Sequence, residues 1–255
     1  MSDWNSCQYM KFSVERTQPS ADLISRFSSE SPNRILDIGC GPGNSTNTLA
    51  KAFPNAKIIG IDCSDDMLEK ARRSYPHLCF VQGSIPDDLD RIDGNFDIIF
   101  SNACLQWIPE HRNLIPAIVN KLADGGTLAV QVPYIQKAPF YKLLHMLVNT
   151  VEWRKLSSVH NFHNLTAEEY YDLLSQIGSS YNIWETVYYH TVDSPEDVIE
   201  WYKGSGLRPY LDLLDDEERS AFIGDLLEIV SENFPKRENG AIILKMPRIF
   251  FTLKK

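Results

Sequence analysis

Apolar and polar positions alternate in two registers along this chain, and the register changes near its middle. Short runs that are apolar on both faces recur through the first half: RILDIG at 34–39, KIIGID at 57–62, CFVQG at 79–83, FDIIFSN at 96–102 and TLAVQV at 127–132. A strand apolar on both faces belongs inside a sheet covered on both sides, so these five runs read as buried parallel strands. Helical spacing fills the gaps, at 44–53, at 64–75 and from His111 to Leu122. Ser64 is placed to cap its helix, and the DGG turn at 124–126 leads into the fifth strand. Strand and helix in regular alternation predict a doubly wound α/β sheet, a Rossmann-like fold.

The second half reads differently. Thr166 and Glu169 form a capping box ahead of a helix through 178, and YNIWETVYYHTV at 181–192 has strand alternation. Ser194-Pro195 opens a helix through Trp201, a longer helix occupies 215–234, and AIILKMPRIFFTL at 241–253 is a last strand. Pro247 inside that run predicts a bulge or an edge position. The last two strands thus bracket a helical cap at 193–240, and residues 1–30 form an N-terminal helical lid on what is otherwise one domain, 1–255. Trp4, Tyr9, Phe12 and Arg16 share one face of that lid.

The 255 residues carry a net charge of −9 with no basic block, which argues against nucleic acid or an anionic membrane as the main partner. Cys7, Cys40, Cys63, Cys79 and Cys104 are odd in number and lack a CxxC pair, as in a reduced, cytoplasmic protein. No apolar leader or membrane-length run is present. His160 and His163 have helical spacing without a cysteine or carboxylate nearby, so no metal site is expected. The DDEER run from Asp215 reads as a solvated helix start.

The chemistry concentrates at ILDIGCGPGNST, 35–46, where a strand enters a glycine turn and then a helix. Gly39, Gly41 and Gly43 let the backbone turn tightly and a ligand approach closely, and Asp62 closes the next strand where ribose hydroxyls would be met. A dinucleotide and S-adenosyl-L-methionine (SAM) both suit such a site. The turn is GxGxG with Pro42 inside, and Asp37 precedes it. A carboxylate there repels phosphate and suits a ligand carrying an ammonium and a sulfonium, which favours SAM.

Together these features resemble the class I SAM-dependent methyltransferases. That resemblance implies cofactor contacts from Asp37, Gly39, Gly41, Gly43, Asp62, Cys63, Ser84 and Asn102, with Ser84 standing where an acid usually meets the adenine amino group. It places SNACLQWIPEH, 101–111, beside the transferred methyl. Enzymes of this class acting on base amines carry an Asn/Asp-Pro-Pro-aromatic motif there; Asn102-Ala103-Cys104-Leu105 does not match it. Trp107 is a candidate wall for the methyl donor or the substrate.

A narrower resemblance rests on segments 3–24, 35–46, 102–111, 187–192, 201–211 and 238–251, which are similar to the trans-aconitate 2-methyltransferase family. It implies a cytoplasmic, monomeric enzyme that makes a monomethyl ester of a small polycarboxylate. Carboxylates are ionised at pH 7, so the nucleophile needs no general base, only aim and cationic partners. Arg16, Trp107, Tyr188, Tyr189, His190, Arg208 and Arg248 are the substrate-binding candidates, and Gln18 replaces a basic residue common in that family. Other readings are methylation of a carrier-bound malonyl group or an aliphatic acid, and a SAM-binding module without turnover.

Overall fold

The computed structural model describes residues 13–27, 31–159 and 162–255, with the side chains of 13–16 excepted. Trp4, Tyr9, Phe12 and His160 therefore lie outside the described residues, as does the side chain of Arg16.

Seven strands form one sheet in the order β3-β2-β1-β4-β5-β7-β6. They are β1 (Arg34–Ile38), β2 (Lys57–Asp62), β3 (Cys79–Gln82), β4 (Phe96–Asn102), β5 (Leu122–Pro133), β6 (Ser180–Val192) and β7 (Ile242–Lys254). The first five pair in parallel. Their central members explain why: Leu36, Ile38, Ile98, Ile99, Phe100 and Val130 are all buried, so both faces need cover, and only helical crossovers supply it. Tyr134 N–H donates to Pro247 O and Lys255 N–H to Gly126 O, a pairing that runs β7 antiparallel to β5. The sheet order corrects one expectation. Pro247 is not on an edge strand, because β7 lies between β5 and β6; its missing N–H is tolerated at a single position while its carbonyl stays engaged.

The chain divides into two compact units. The first holds 1–133, 162–185 and 249–255. In it α1 (Ser13–Ile24) and α2 (Asn44–Ala52) cover one face of the sheet. Phe27 seals that cover, stacked on Phe53 at 5.9 Å and set edge-on to Phe100 at 6.3 Å. Helix α3 (Asp65–Ser74) starts where Ser64 accepts the Met67 N–H, as its cap position predicts. Helix α4 (His111–Val119) follows the loop after β4.

The second unit holds 134–161 and 186–248, so it takes in the 193–240 stretch and adds a segment for which the hydrophobic pattern names no element. That segment contains α5 (Pro139–Val148). After α6 (Ala167–Ile177), which belongs to the first unit and has the Thr166–Glu169 capping box, come α7 (Pro195–Lys203), α8 (Arg208–Leu211) and α9 (Asp216–Asn233). Phe140 of α5 stacks on Tyr202 of α7 at 3.6 Å, and Trp153 packs edge-on to Phe222 while donating Nε1–H to Asp225 at 2.7 Å. No helix among the described residues is long and apolar enough to cross a membrane.

Candidate active site

The glycine turn leaves the carboxyl end of β1 and is tied at once to β2. Both the Gly39 and Cys40 N–H groups donate to Ile61 O, at 2.8 and 3.0 Å. Gly39, at φ 72°, has no room for more: a Cβ there would stand 2.2 Å from Cys104 Sγ, so the loop after β4 rests directly on this backbone. Gly41, at φ 52°, is the opposite case, since a Cβ there would meet nothing within 4 Å. One glycine is required by packing and the other keeps a surface open. Cys40 fills a small gap among Leu68, Ala71 and Phe80.

Two carboxylates flank the turn. Asp37 is fully buried; its Oδ2 accepts the Ser45 and Thr46 hydroxyls of α2 at 2.7 and 2.6 Å, while its Oδ1 has no partner. Burial pushes its carboxyl up to about 6, against the pull of the Thr46 and Ser45 hydroxyls, and the nearby charge of Asp62 adds to the rise. Asp62 accepts the Gly41 N–H at 2.8 Å through one oxygen and the Ser64 N–H at 2.9 Å through the other. These bonds fix its orientation at the end of β2 and join it to the turn.

The structure places Cys63 and Ser84 beside the ends of β2 and β3. Cys63 is exposed, and the Ser84 N–H donates to Asp88 at 2.9 Å. A cavity of about 640 Å³ reaches Cys63, Gln82 and Ser84 and runs back past Ile61 and Ile59 to Lys57. Those β2 residues alternate with Gly60 and Asp62, so the cavity occupies the other face of the strand from the Asp62 carboxylate.

At the end of β4 the chain makes a hard turn. Asn102 is half-buried with Oδ1 unpartnered, Ala103 takes φ 55°, and a single 3-10 turn carries Leu105–Trp107. Gln106 is buried; its Nε2 donates to Ala103 O at 2.7 Å, its backbone carbonyl accepts the His163 N–H at 2.9 Å, and its Oε1 is unpartnered. Trp107 is half-buried against Phe162, with ring centroids 4.7 Å apart. Pattern reasoning missed the brace behind this loop. His111 sits between Tyr170, whose hydroxyl is 2.6 Å from Nδ1, and Leu105 O, 2.8 Å from Nε2. A carbonyl can only accept, so Nε2 carries the proton and Nδ1 accepts the phenol hydrogen. Burial holds this imidazole below its ordinary value, so it stays neutral. Burial also pushes the Cys104 thiol and the Tyr170 phenol up, which leaves neither ionised.

Two further amides at the same strand ends were not foreseen. Gln131 of β5 is fully buried with neither amide atom partnered, and Asn164 donates to Pro133 O while its Oδ1 stays unpartnered. The sequence signal for Ser45 and Thr46 was present, directly after the glycine turn; Gln131 gave none beyond being polar in an apolar strand.

The remaining substrate candidates belong to the second unit. Arg208 opens α8 and lies 3.6 Å from Asp212. Tyr188 and His190 share one face of β6, their rings parallel at 6.2 Å, and His190 stacks on Trp201 at 5.1 Å. Tyr189 points the other way and is 64% exposed, so it does not join them. Arg248 is half-buried in the interior strand β7, near enough to Tyr202 for its charge to lower that phenol, although burial dominates and pushes Tyr202 up. In the first unit Gln18 is exposed and donates to Asp22 at 2.7 Å. Among the described residues no cluster of His, Cys, Asp and Glu could hold a metal ion.

Comparison with known proteins gives this architecture its relatives. Residues 35–126 match the family described as a methyltransferase domain. A trans-aconitate 2-methyltransferase from Afipia carboxidovorans is 39% identical over 257 residues, covering 99% of each chain. Another from Klebsiella pneumoniae is 38% identical over 255 residues, covering 100% of this chain and 99% of its own. Among solved structures, the YcgJ protein from Bacillus subtilis matches with a TM-score of 0.59 at 20% identity, covering 93% of this chain and 98% of that one. Haemonchus contortus phosphoethanolamine N-methyltransferase 2, in complex with phosphomonomethylethanolamine and S-adenosylhomocysteine, matches with a TM-score of 0.57 at 15% identity, covering 93% of this chain and 53% of its own. The structural likenesses establish the fold of a class I methyltransferase, and the full-length identity goes further: this chain belongs to the trans-aconitate 2-methyltransferase family.

Proposed function

We propose that this chain transfers the methyl group of S-adenosyl-L-methionine to a carboxylate oxygen of trans-aconitate, forming a monomethyl ester. Full-length similarity to trans-aconitate 2-methyltransferases is the observation that carries the reading. The site supports each part of it.

The residues fit the donor. The unpartnered Asp37 Oδ1 calls for a cation, the open side of Gly41 admits a ligand against the backbone, and Asp62 stands where ribose hydroxyls would be received. Bound there, SAM supplies an electrophilic methyl on a cationic sulfur. Cys63 and Ser84 border its adenine end, and Asn102 and Trp107 border its methyl end.

The acceptor class follows from what the loop after β4 lacks. His111 has both nitrogens engaged, and the Cys104 and Tyr170 hydrogens are held by burial. None of these groups is placed to take a proton, which suits an acceptor already ionised at pH 7. A carboxylate oxygen gives its lone pair to the methyl carbon as the carbon–sulfur pair returns to sulfur, so two opposite charges are discharged and no proton moves. The chain's task is orientation and exclusion of water.

Arg208, Tyr188, His190, Arg248 and Arg16 remain candidates for the other carboxylates, Arg208 first because a guanidinium fork suits a carboxylate. The four described cysteines are thiols rather than disulfides, which supports a reducing cytoplasm. We read the enzyme as a monomer acting on a free small molecule. The test is S-adenosylhomocysteine release by the purified protein with trans-aconitate, cis-aconitate, citrate, isocitrate and a medium-chain fatty acid. Turnover selective for trans-aconitate supports the reading. Preference for the fatty acid moves the enzyme to another acid class, and SAM binding without turnover on any acid removes the substrate.

A further inference from the structure

Gln131 is 0% exposed near the carboxyl end of β5, and neither its amide nitrogen nor its amide oxygen has a hydrogen-bond partner. Each unsatisfied buried group costs stability, and an apolar side chain of similar volume would avoid the loss. The backbone leaves the side chain little freedom to escape, since Gln131 O accepts the Ala103 N–H at 3.0 Å and is thereby tied to the loop after β4.

Its surroundings repeat the pattern. Gln131 is the register partner of Asn102, whose Oδ1 is also buried and unpartnered. Partners on parallel strands project to the same face, and two residues back the same face carries Phe100, the register partner of Asp37. Helix α1 covers this face, and its buried Ser20 has an unpartnered hydroxyl. Three elements thus leave unsatisfied polar groups on one face of the sheet. Satisfaction of nearly all buried polar groups is the norm in folded proteins, so such a grouping marks a place completed by ligand.

Which ligand follows from strand order. Asp37, Gly41, Asp62 and Ser84 assign the ends of β1, β2 and β3 to the methyl donor, while β5 lies beyond β4 on the opposite side. What meets the carboxyl end of β5 is the acceptor. Resting on the carboxylate reading above, we propose that Gln131 binds the reacting carboxylate: its amide N–H donates to the oxygen that is not methylated and so selects which carboxylate of the acid turns its other oxygen to the methyl. An amide suits a spot where an anion meets a cation. Its N–H favours the carboxylate, its carbonyl favours the donor's positive centre, and being neutral it cancels neither charge, as Glu or Lys would.

The experiment compares wild type with Gln131→Met and Gln131→Glu in four readouts: thermal midpoint, SAM affinity by calorimetry, steady-state kinetics with trans-aconitate, and the position of the ester by NMR. Gln131→Met should melt at or above the wild-type temperature, hold SAM within about threefold of wild type, and lose about 10–100-fold in kcat/KM while giving mixed esters. Gln131→Glu should be slower still, because it sets like charge against the carboxylate. A Gln131→Met protein that melts lower and keeps both kcat/KM and a single ester overturns the proposal, as does equal loss of SAM affinity and acceptor turnover. Wild type inactive on every acid would instead remove the functional reading, and this proposal with it.

Discussion

The carboxyl ends of β1 and β2 and those of β4 and β5 belong to the same sheet and are built on opposite terms. At β1 and β2 the groups are set by bonds the fold itself makes, and one Asp37 oxygen is left over for ligand: Asp62 holds two backbone N–H groups, the other Asp37 oxygen holds two hydroxyls, and Ile61 O holds the turn. At β4 and β5 the backbone is equally fixed, by His111 and by Ala103, yet Asn102, Gln106, Gln131 and Asn164 each keep a buried polar atom without a partner. A preset floor suits a ligand common to many enzymes of this class. Unsatisfied amides suit the ligand that distinguishes one enzyme from another, because an acceptor lacking the matching groups leaves them unpaired at a cost.

The largest effect expected from breaking this contrast is at Gly39. Gly39→Ala combines a left-handed backbone with a Cβ that would lie 2.2 Å from Cys104 Sγ, and so strikes both regions at once. The strain and overlap should cost about 3 kcal/mol or more, lowering the thermal midpoint by roughly 6–12 °C in a chain of this size, measurable by calorimetry.

Asp37→Asn should spare the β4 and β5 ends and weaken SAM binding by about 10–100-fold. In the wild type, affinity should fall as pH drops through about 6, where the carboxyl protonates, and the variant should lack that dependence in isothermal titrations. Stability moves the other way. The folded carboxyl titrates above its unfolded value of 3.8, so its contribution is greatest below that pH and is lost as pH rises to about 6. Asp37→Asn should therefore gain more in thermal midpoint at pH 7 than at pH 4.

His111→Phe removes the brace to Leu105 O and Tyr170 and should cost about 1–3 kcal/mol. Its mark on function should be a lower kcat with SAM affinity unchanged, separated by kinetics and calorimetry. The smallest effect on the fold belongs to Gly41→Ala. With nothing within 4 Å of the added carbon, the backbone strain of about 1–2 kcal/mol is the whole structural cost, and loss of SAM affinity should exceed it.

How much of this was readable in the sequence differs between the same two regions. Residues 35–46 specify their own geometry, since positive φ at Gly39, Gly41 and Gly43 restricts the residue type, and the spacing to Asp62 follows from one strand-helix-strand unit. Four of the parallel strands were legible for a similar reason, being apolar on both faces, whereas β3, which reads as buried, is the edge strand and buries only Phe80 while Cys79, Val81 and Gln82 are exposed. Gln131 and the His111–Tyr170 bond were not legible, because partners 59 residues apart leave no local periodic trace and a glutamine in a strand has no chemistry of its own. The edge alternative for Pro247 failed for the converse reason. A local rule places proline at an edge, whereas the tertiary arrangement keeps β7 inside and accepts one missing donor.

The most direct measurement follows an isotopically labelled methyl group from SAM into trans-aconitate, with the product identified by mass spectrometry and carbon NMR. The account predicts a single monomethyl ester with the label on a carboxylate oxygen. Label on carbon, or recovery of unmodified acid from an enzyme that binds SAM, would contradict it.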